Sequence, residues 1–488
     1  MFNQYSIINM PQTIIYREKY GINGHSSVYV RNPKGDSSLV QLSNGLVTPP
    51  QQSLYSSLVN FFVEVFLPQG YPESVREDYC RYQIWDTVQA FCSTISGILT
   101  THAIMKSVGV GDATATAVSA TLTWVLKDGI GMIGRIVFAW WKGHALDTDS
   151  KKWRLFADFL NDAAMCLELL LLPIFSTHST QILCFTTSMK GIVGVAGGAS
   201  RASITQHHAL RGNNGDVSAK DGSQETCVNL VASSIGMAML SYTEDKMMIW
   251  TLFTAVTLLH LLSNYMAVKS LNLVTFNGER LNRYIRSYLR TDTSYSPKEV
   301  NRWESCVVGI SYTDKDLCGF KIRLGYSLRQ LVESKKISSE ELVVMADMFR
   351  NRTYLLLPHV KSRTIFVMFN PAATTQDFIQ AYFHSVLLAV AICHLDNIRL
   401  NILTNLQQSV VLKRIEQGWA RTVSSSPARA KQPLEAVTIV EDIVDKEFLK
   451  FFDGVKTQGW STECHSLEVN EWRGEWRDSD LRESAKNK

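Results

Sequence analysis

The sequence predicts a mainly α protein, a helical, membrane-embedded bundle followed by a small α+β domain. Residues 88–268 are rich in Ala, Val, Leu, Ile, Gly, Ser and Thr, while both flanks read as ordinary soluble sequence. Within this zone, "MIWTLFTAVTLLHLLSNYMAV" (248–268) contains no Asp, Glu, Lys or Arg. Its 21 residues match the roughly 20 that a hydrocarbon-spanning helix needs. From residue 271 onward, alternating apolar runs and helix-start signals return.

The N-terminal residues 1–52 are polar, with short strand-like runs such as "SSVYVRN" and "SLVQL". Residues 53–67 place apolar side chains at helical spacing and stop at Pro68 and Gly70. An aromatic-laced amphipathic helix then leads into the apolar body, taken as 53–270. Its apolar stretches are 91–110, 113–141, 163–175, 181–199, 227–242 and 248–268, and several carry charges. After Val268 come Lys269, Arg280, Arg283, Arg286 and Arg290, whereas Glu244 and Asp245 precede the span. That Lys/Arg asymmetry puts the C-terminal side on the cytosol-like face of an intracellular membrane. Residues 271–423 form the α+β domain. "SPKEV" (296–300) opens a helix with Ser as cap and Pro first. "TYLLLPHVKSRTIFVMFNP" makes a hairpin, and "TTQDFIQAYFHSVLLAVAICHL" a capped helix. The remainder, 424–488, reads as a linker (424–433) and a charged, partly helical tail.

The chain has 49 basic and 45 acidic residues, net +4, too balanced for a nucleic-acid-binding face. Its nine cysteines are dispersed without a C-x-x-C pair, as expected of free thiols in a reducing compartment. No secretory or transit signal is read at the start.

Gly129, Gly131 and Gly134 fit G-x-G-x-x-G. A dinucleotide fingerprint needs a strand before the first glycine and an acidic strand end about 20 residues on. Lys127 and Asp128 stand where buried strand residues belong, and Asp149 falls in a polar turn. The glycines therefore predict close helix packing, with Lys127, Gly131 and Arg135 on one face at steps of four.

Four segments resemble a known family: "FLPQGYPESVREDYCRYQIWD" (66–86), "WRLFADFLNDAAMCLELLLLP" (153–173), "KGIVGVAGGASRASITQHHALRGNNGDVSAKDGSQETCVNLVASSIGM" (190–237) and "LLHLLSNYMAVKSLNL" (258–273). They resemble the root UVB-sensitive (RUS) family, found across eukaryotes, over about residues 50–410. The resemblance implies membrane association. It also implies links, known for plant members, to UV-B responses, seedling growth, auxin transport and vitamin B6 balance. It brings no catalytic residue with it.

The candidate binding residues are those whose charge is costly in lipid. Lys127, Asp128 and Arg135 on one segment are natural partners for Asp158, Asp162 and Glu168 on another. Such groups serve either as structural ion pairs or as a polar cavity for a small anionic or zwitterionic solute. "NNGDVSAKDGSQET" (213–226) reads as a polar interhelical loop, with Asn213, Asn214 and Asp216 as turn chemistry and Ser218 or Ser223 as cap of the helix that follows. Arg201, Arg211 and Lys220 supply charge for a phosphate or headgroup. His207-His208 and Cys464-His465 lack further ligands at zinc spacing and are expected to face solvent. His260 is expected to hydrogen-bond between helices.

No catalytic motif, cofactor or metal site is expected. The reading is a non-enzymatic, transporter-like or scaffold protein handling a small solute, lipid or partner. Its partners would be the lipid bilayer and a protein or second copy of the chain, with no nucleic acid. The alternative is a soluble helical enzyme or binding protein linked to vitamin B6 metabolism.

Overall fold

The computed structural model describes residues 14–19, 26–31, 39–43, 46–47, 54–107, 117–242, 245–395 and 434–476, together with Lys413 and Gln417. The linker expected at 424–433 lies outside the described residues. Contacts divide the chain into two compact units. The first comprises residues 1–132, 158–191 and 201–270; the second comprises 133–157, 192–200 and 271–488.

Four short strands open the chain as an antiparallel meander: β1 (Ile14–Lys19), β2 (Ser26–Arg31), β3 (Leu39–Ser43) and β4 (Leu46–Val47). Seven helices follow: α1 (Leu54–Phe66), α2 (Tyr79–Ser107), α3 (Ala117–Lys142), α4 (Ser150–Leu171), α5 (Ser179–His208), α6 (Asn214–Tyr242) and α7 (Lys246–Ser270). Wherever they are described, five of the six apolar stretches fall within α2, α3, α5, α6 and α7, and the sixth, 163–175, runs four residues past the end of α4. In the first unit α2 packs along both α6 and α7, around Ile95, Leu99, Met165, Leu169, Ala232 and Phe253. Small residues set the spacing. A Cβ on Gly236 would come within 2.6 Å of Ile98 Cδ1. The glycine triplet lies inside α3, where no strand-to-helix turn exists. A Cβ on Gly131 would meet Thr187 Cγ2 at 2.8 Å, which is close packing.

Two sequence expectations need correction here. The supposed loop 213–226 is helical from Asn214 onward. Asn213 does serve the turn, its Oδ1 accepting from the Arg211 amide at 3.1 Å, but from Asn214 on one face of the helix engages α1, α2 and α5, as described below. Ser218 and Ser223 accordingly sit within α6 rather than capping it.

The second unit is α+β. Its elements are α8 (Gly278–Thr291), α9 (Pro297–Trp303), α10 (Asp314–Cys318), β5 (Lys321–Leu324), α11 (Leu328–Glu333), α12 (Ser339–Met348), β6 (Tyr354–His359), β7 (Thr364–Phe369), α13 (Thr375–Leu395) and α14 (Leu434–Thr457). Ser296 caps α9 in a complete capping box with Glu299, and Pro297 takes the first turn. Thr313 with Asp316 and Ser338 with Glu341 repeat the device at α10 and α12. β6 and β7 form the expected hairpin, and β5 joins β7 in parallel, giving the order β5-β7-β6.

The stretch read as a charged tail supplies core. Ala436, Val437, Val440, Val444, Phe448, Phe451 and Val455 of α14 are buried with α8, α13 and the sheet. The charges alternate with these apolar positions at helical spacing, so they occupy the outer face of one amphipathic helix.

Among the described residues, three helices are long and apolar enough to cross a membrane: α5, α7 and α13. They differ in what covers them. The apolar window of α13 is 78% buried within the protein, that of α5 28% and that of α7 22%. α13 packs inside the core of the second unit. α7 leaves Leu258, Leu259, Leu262 and Tyr265 exposed, and α3 does the same with Leu122, Val125, Ile136 and Trp140.

Candidate functional site

Two pairs of polar residues, each spaced by four, define the most polar point inside the helical unit. Asp158 and Asp162 share a face of α4, and His260 and Asn264 share a face of α7. The pairs meet in opposite order. His260 Nδ1 lies 2.7 Å from Asp162 Oδ2, and Asn264 Nδ2 donates to Asp158 Oδ2 at 2.6 Å. Gln89 of α2 closes the network: its Nε2 donates to Asp158 Oδ2 at 2.9 Å and lies 2.9 Å from His260 Nε2. All five side chains are buried.

The network assigns the imidazole tautomer. Gln89 Nε2 can only donate, so His260 Nε2 accepts and the ring proton sits on Nδ1, facing Asp162. A neutral histidine thus spans an amide and a carboxylate. Asp162 Oδ1 is buried and has no hydrogen-bond partner among the described residues, so one carboxylate oxygen can take a further donor. The arrangement can bind a cationic or hydroxyl group, or pass a proton between Asp162 and His260.

The other expected site residues are dispersed. Glu168 is buried and bound by Lys190 Nζ at 2.6 and 2.8 Å and by Thr186 Oγ1 at 2.8 Å. Lys127 and Asp128 pair with each other at 3.4 Å, and Lys127 Nζ lies 3.9 Å from the centre of the Trp124 ring. Arg135 is exposed and runs beside Gly194. The charges of α3 therefore do not pair with those of α4 as expected. The distance decides it: Lys127 has an adjacent carboxylate and a ring face within reach, and Glu168 has a lysine on α5.

Around the α5–α6 junction Arg201 is paired with carboxylates, while Asn213, Asp216 and Lys220 bond to backbone groups. Arg201 binds Asp221 through Nε at 2.6 Å and Glu225 through NH1 at 2.6 Å. Gln83 Nε2 also donates to Asp221, at 3.0 Å. Asn213 donates to the Ser74 carbonyl at 3.3 Å, Asp216 accepts from the Gln69 amide at 2.7 Å, and Lys220 donates to the Glu64 carbonyl. Asn214 is the exposed first residue of α6. Arg201 and Lys220 are thus engaged within the protein. His207 and His208, expected to face solvent, are instead packed inside, their side chains 6% and 3% exposed. Tyr79 and Tyr82 of α2 pack against His208, and the His207 ring packs against that of His208.

Sequence reading also missed a buried ionic cluster in the second unit. Lys151 reaches Glu304 at 3.1 Å and Asn301 at 2.6 Å; Arg280 reaches Glu304 at 2.7 Å; Lys152 reaches Glu279 at 2.9 Å. Asn277 donates to Asp149, Glu304 and the Thr148 carbonyl. Burial alone would raise the Glu304 carboxyl, but Arg280, Lys151 and Lys152 outweigh it and hold it at about 2. A cavity of about 290 Å³ adjoins the cluster, with Asp149, Lys152, Glu279, Asn282, Tyr312 and Tyr382 in its wall. The available signal was Lys151-Lys152 at a helix start, which reads as solvated charge unless its carboxylate partners are known.

Residues 52–292 match a family described as vitamin B6 photo-protection and homoeostasis domain, and residues 293–476 match root UVB sensitive protein, C-terminal. The chain is similar to Protein root UVB sensitive 3 of Arabidopsis thaliana, 34% identical over 334 residues, 67% of this chain and 74% of that protein. The chain belongs to the root UVB-sensitive family. It is also similar to RUS family member 1 of Dictyostelium discoideum, 46% identical over 278 residues, which cover 56% of this chain and 51% of that protein. Protein root UVB sensitive 5 of Arabidopsis thaliana is 27% identical over 387 residues, 74% of each chain. No solved structure matches the chain. The RUS C-terminal match runs to residue 476, past the limit of about 410 expected from the sequence, and so includes α14.

Proposed function

We propose that this RUS-family chain is a membrane-embedded, non-enzymatic protein, and that its helical unit handles a small zwitterionic solute, whose cationic or hydroxyl part is taken by the Gln89–Asp158–Asp162–His260–Asn264 network. The single observation behind this reading is a contrast within α7. His260 and Asn264 are fully buried against carboxylates, while Leu258 and Leu262 on the same helix are 64% and 54% exposed. A water-soluble helix does the reverse, and buried ionisable groups within apolar helices mark solute or proton paths. The lysines and arginines after Val268 favour a cytosol-facing second unit in an intracellular membrane. The vitamin B6 description of the family model makes B6 vitamers the first solutes to try.

The test has two arms. Alkaline carbonate extraction should leave the full chain in the membrane pellet. Vesicles containing the purified protein should take up labelled pyridoxine, and Asp162→Asn should abolish uptake while leaving insertion intact. Extraction into the supernatant ends the membrane reading. The 290 Å³ cavity beside Lys152 and Tyr312 would then support the second reading, a soluble vitamer-binding protein. Lys152 is engaged by Glu279 and Asp149, so that reading involves ionic binding rather than imine chemistry.

A further inference from the structure

The end of α5 is fastened to the chain just before α2. The Arg76 amide donates to the His208 carbonyl at 3.1 Å, Arg76 Nε to the His207 carbonyl at 2.8 Å, and the Leu210 amide to the Ser74 carbonyl at 3.2 Å. Val75 and Ala209 form a bridge at the same place. With their carbonyls occupied by this segment, His207 and His208 turn their rings toward Asp78. His207 Nε2 lies 3.0 Å from Asp78 Oδ2, and His208 Nε2 lies 3.8 Å from Asp78 Oδ1. One donor atom from each of the three residues lies within 4.8 Å of the others.

His208 is the decisive residue. It is only 2% exposed, and its ring is held by Tyr79 and Tyr82 at centroid distances of 5.3 and 5.2 Å. Its Nε2 has no hydrogen-bond partner among the described residues, because 3.8 Å to Asp78 exceeds hydrogen-bond reach. A buried ring nitrogen aimed at a carboxylate from too far away is costly unless something lies between them. Two ligands on one tetrahedral zinc ion, each about 2.0–2.2 Å from it, stand roughly 3.3 Å apart. The observed 3.0 and 3.8 Å bracket that spacing.

We propose that Asp78, His207 and His208 bind a first-row divalent transition ion, zinc in the first instance. Two imidazoles and a carboxylate suit such an ion, whereas calcium and magnesium prefer oxygen ligands. The ion would tie the start of α2 to the end of α5 and leave a position open for water or an anion. This site is separate from the His260 network and does not depend on it.

The experiment is metal analysis of the full chain purified in detergent, stripped with chelator, reloaded with zinc and desalted. About one zinc per chain should remain. Zinc, but not magnesium, should raise the melting temperature. Asp78→Asn and His208→Gln should each weaken zinc binding by more than tenfold, the loss being at least that of an outer-shell partner, about 10–100-fold. Circular dichroism and gel filtration confirm that each variant is folded. Cobalt loading provides a readout that needs no variant, since an N/O site gives d–d bands without a thiolate charge-transfer band. Retention of no zinc by the wild type, equal retention by folded variants, or a cobalt–thiolate band would each overturn the assignment.

Discussion

At the scale of single residues, the molecule concentrates its buried charge where helices begin, end or cross. Glu304 is the plainest case. It is 2% exposed and shared by Lys151 and Arg280. Because its folded value of about 2 lies below the ordinary 4.5, the folded state binds fewer protons at this site than the unfolded state. The stability it contributes is therefore fully present above about pH 4.5 and is lost as the pH falls toward about 2. Glu304→Gln leaves two buried cations short of a counter-charge and should cost about 3–5 kcal/mol. Hydrogen exchange of residues 271–303 in the full chain, followed from pH 7 to pH 3, checks this. Wild-type protection should fall in the acid range, while the variant should be weak throughout. Equal protection at pH 7 would show that the cluster does not hold this unit together. Residue identity was only half legible in advance. The four-residue spacing of Asp158 and Asp162 announces a shared face, and His260 in an apolar run announces a hydrogen bond. The partners Gln89 and Asn264 needed the crossing of three helices to be known. The burial of His208 rests on Tyr79 and Tyr82, which lie more than 100 positions away.

At the scale of elements, the helices and the hairpin were read from periodicity, caps and turns, since these signals are local. The two misreadings share a cause. In 213–226 and in 434–457, polar residues are dense because one face of each helix bears charge, and composition outweighed period. α6 carries its polar residues toward Gln83, Tyr79 and Glu64, and α14 carries its apolar ones into the sheet domain. The segment after α14 returns to the sheet at a point where only glycine fits. Gly325 follows β5 with φ +65°, and a Cβ there would lie 2.0 Å from the Asn470 carbonyl oxygen. The Asn470 amide in turn donates to the Leu324 carbonyl at 3.1 Å. Gly325→Ala therefore combines a left-handed backbone penalty of about 1 kcal/mol with a backbone clash that no rotamer relieves. It should detach the 465–476 segment from the sheet. Limited proteolysis would then cut the variant near residue 470 much faster than the wild type, whereas Gly459→Ala, where a Cβ meets nothing within 4 Å, should remain intact there. Equal cleavage of Gly325→Ala and wild type would show that the strand edge tolerates the shift.

At the scale of the whole molecule, the question is which solvent the helical unit faces. α13 and α7 show that length and hydropathy cannot answer it. Both are long and apolar enough to span, yet one is wrapped in its own domain and the other is largely uncovered. What differs is the destination of the side chains, and that makes a decisive pair of substitutions possible. Leu258 and Leu262 lie four apart on the exposed face of α7, opposite to the ladder formed by His260 and Asn264. In water, Leu258→Asp/Leu262→Asp would be a surface change within about ±0.5 kcal/mol per site, and would if anything improve solubility. In a bilayer each carboxylate near the middle of the span costs about 2.5–3.5 kcal/mol, which two adjacent sites turn into failure of insertion. The double variant should therefore lose retention in the carbonate pellet and be degraded. Ala389→Asp, in the covered α13, should instead damage the second unit without releasing the protein from membranes. A soluble, folded Leu258→Asp/Leu262→Asp protein would reverse the reading, because it would mean that the uncovered face of α7 was in water from the start.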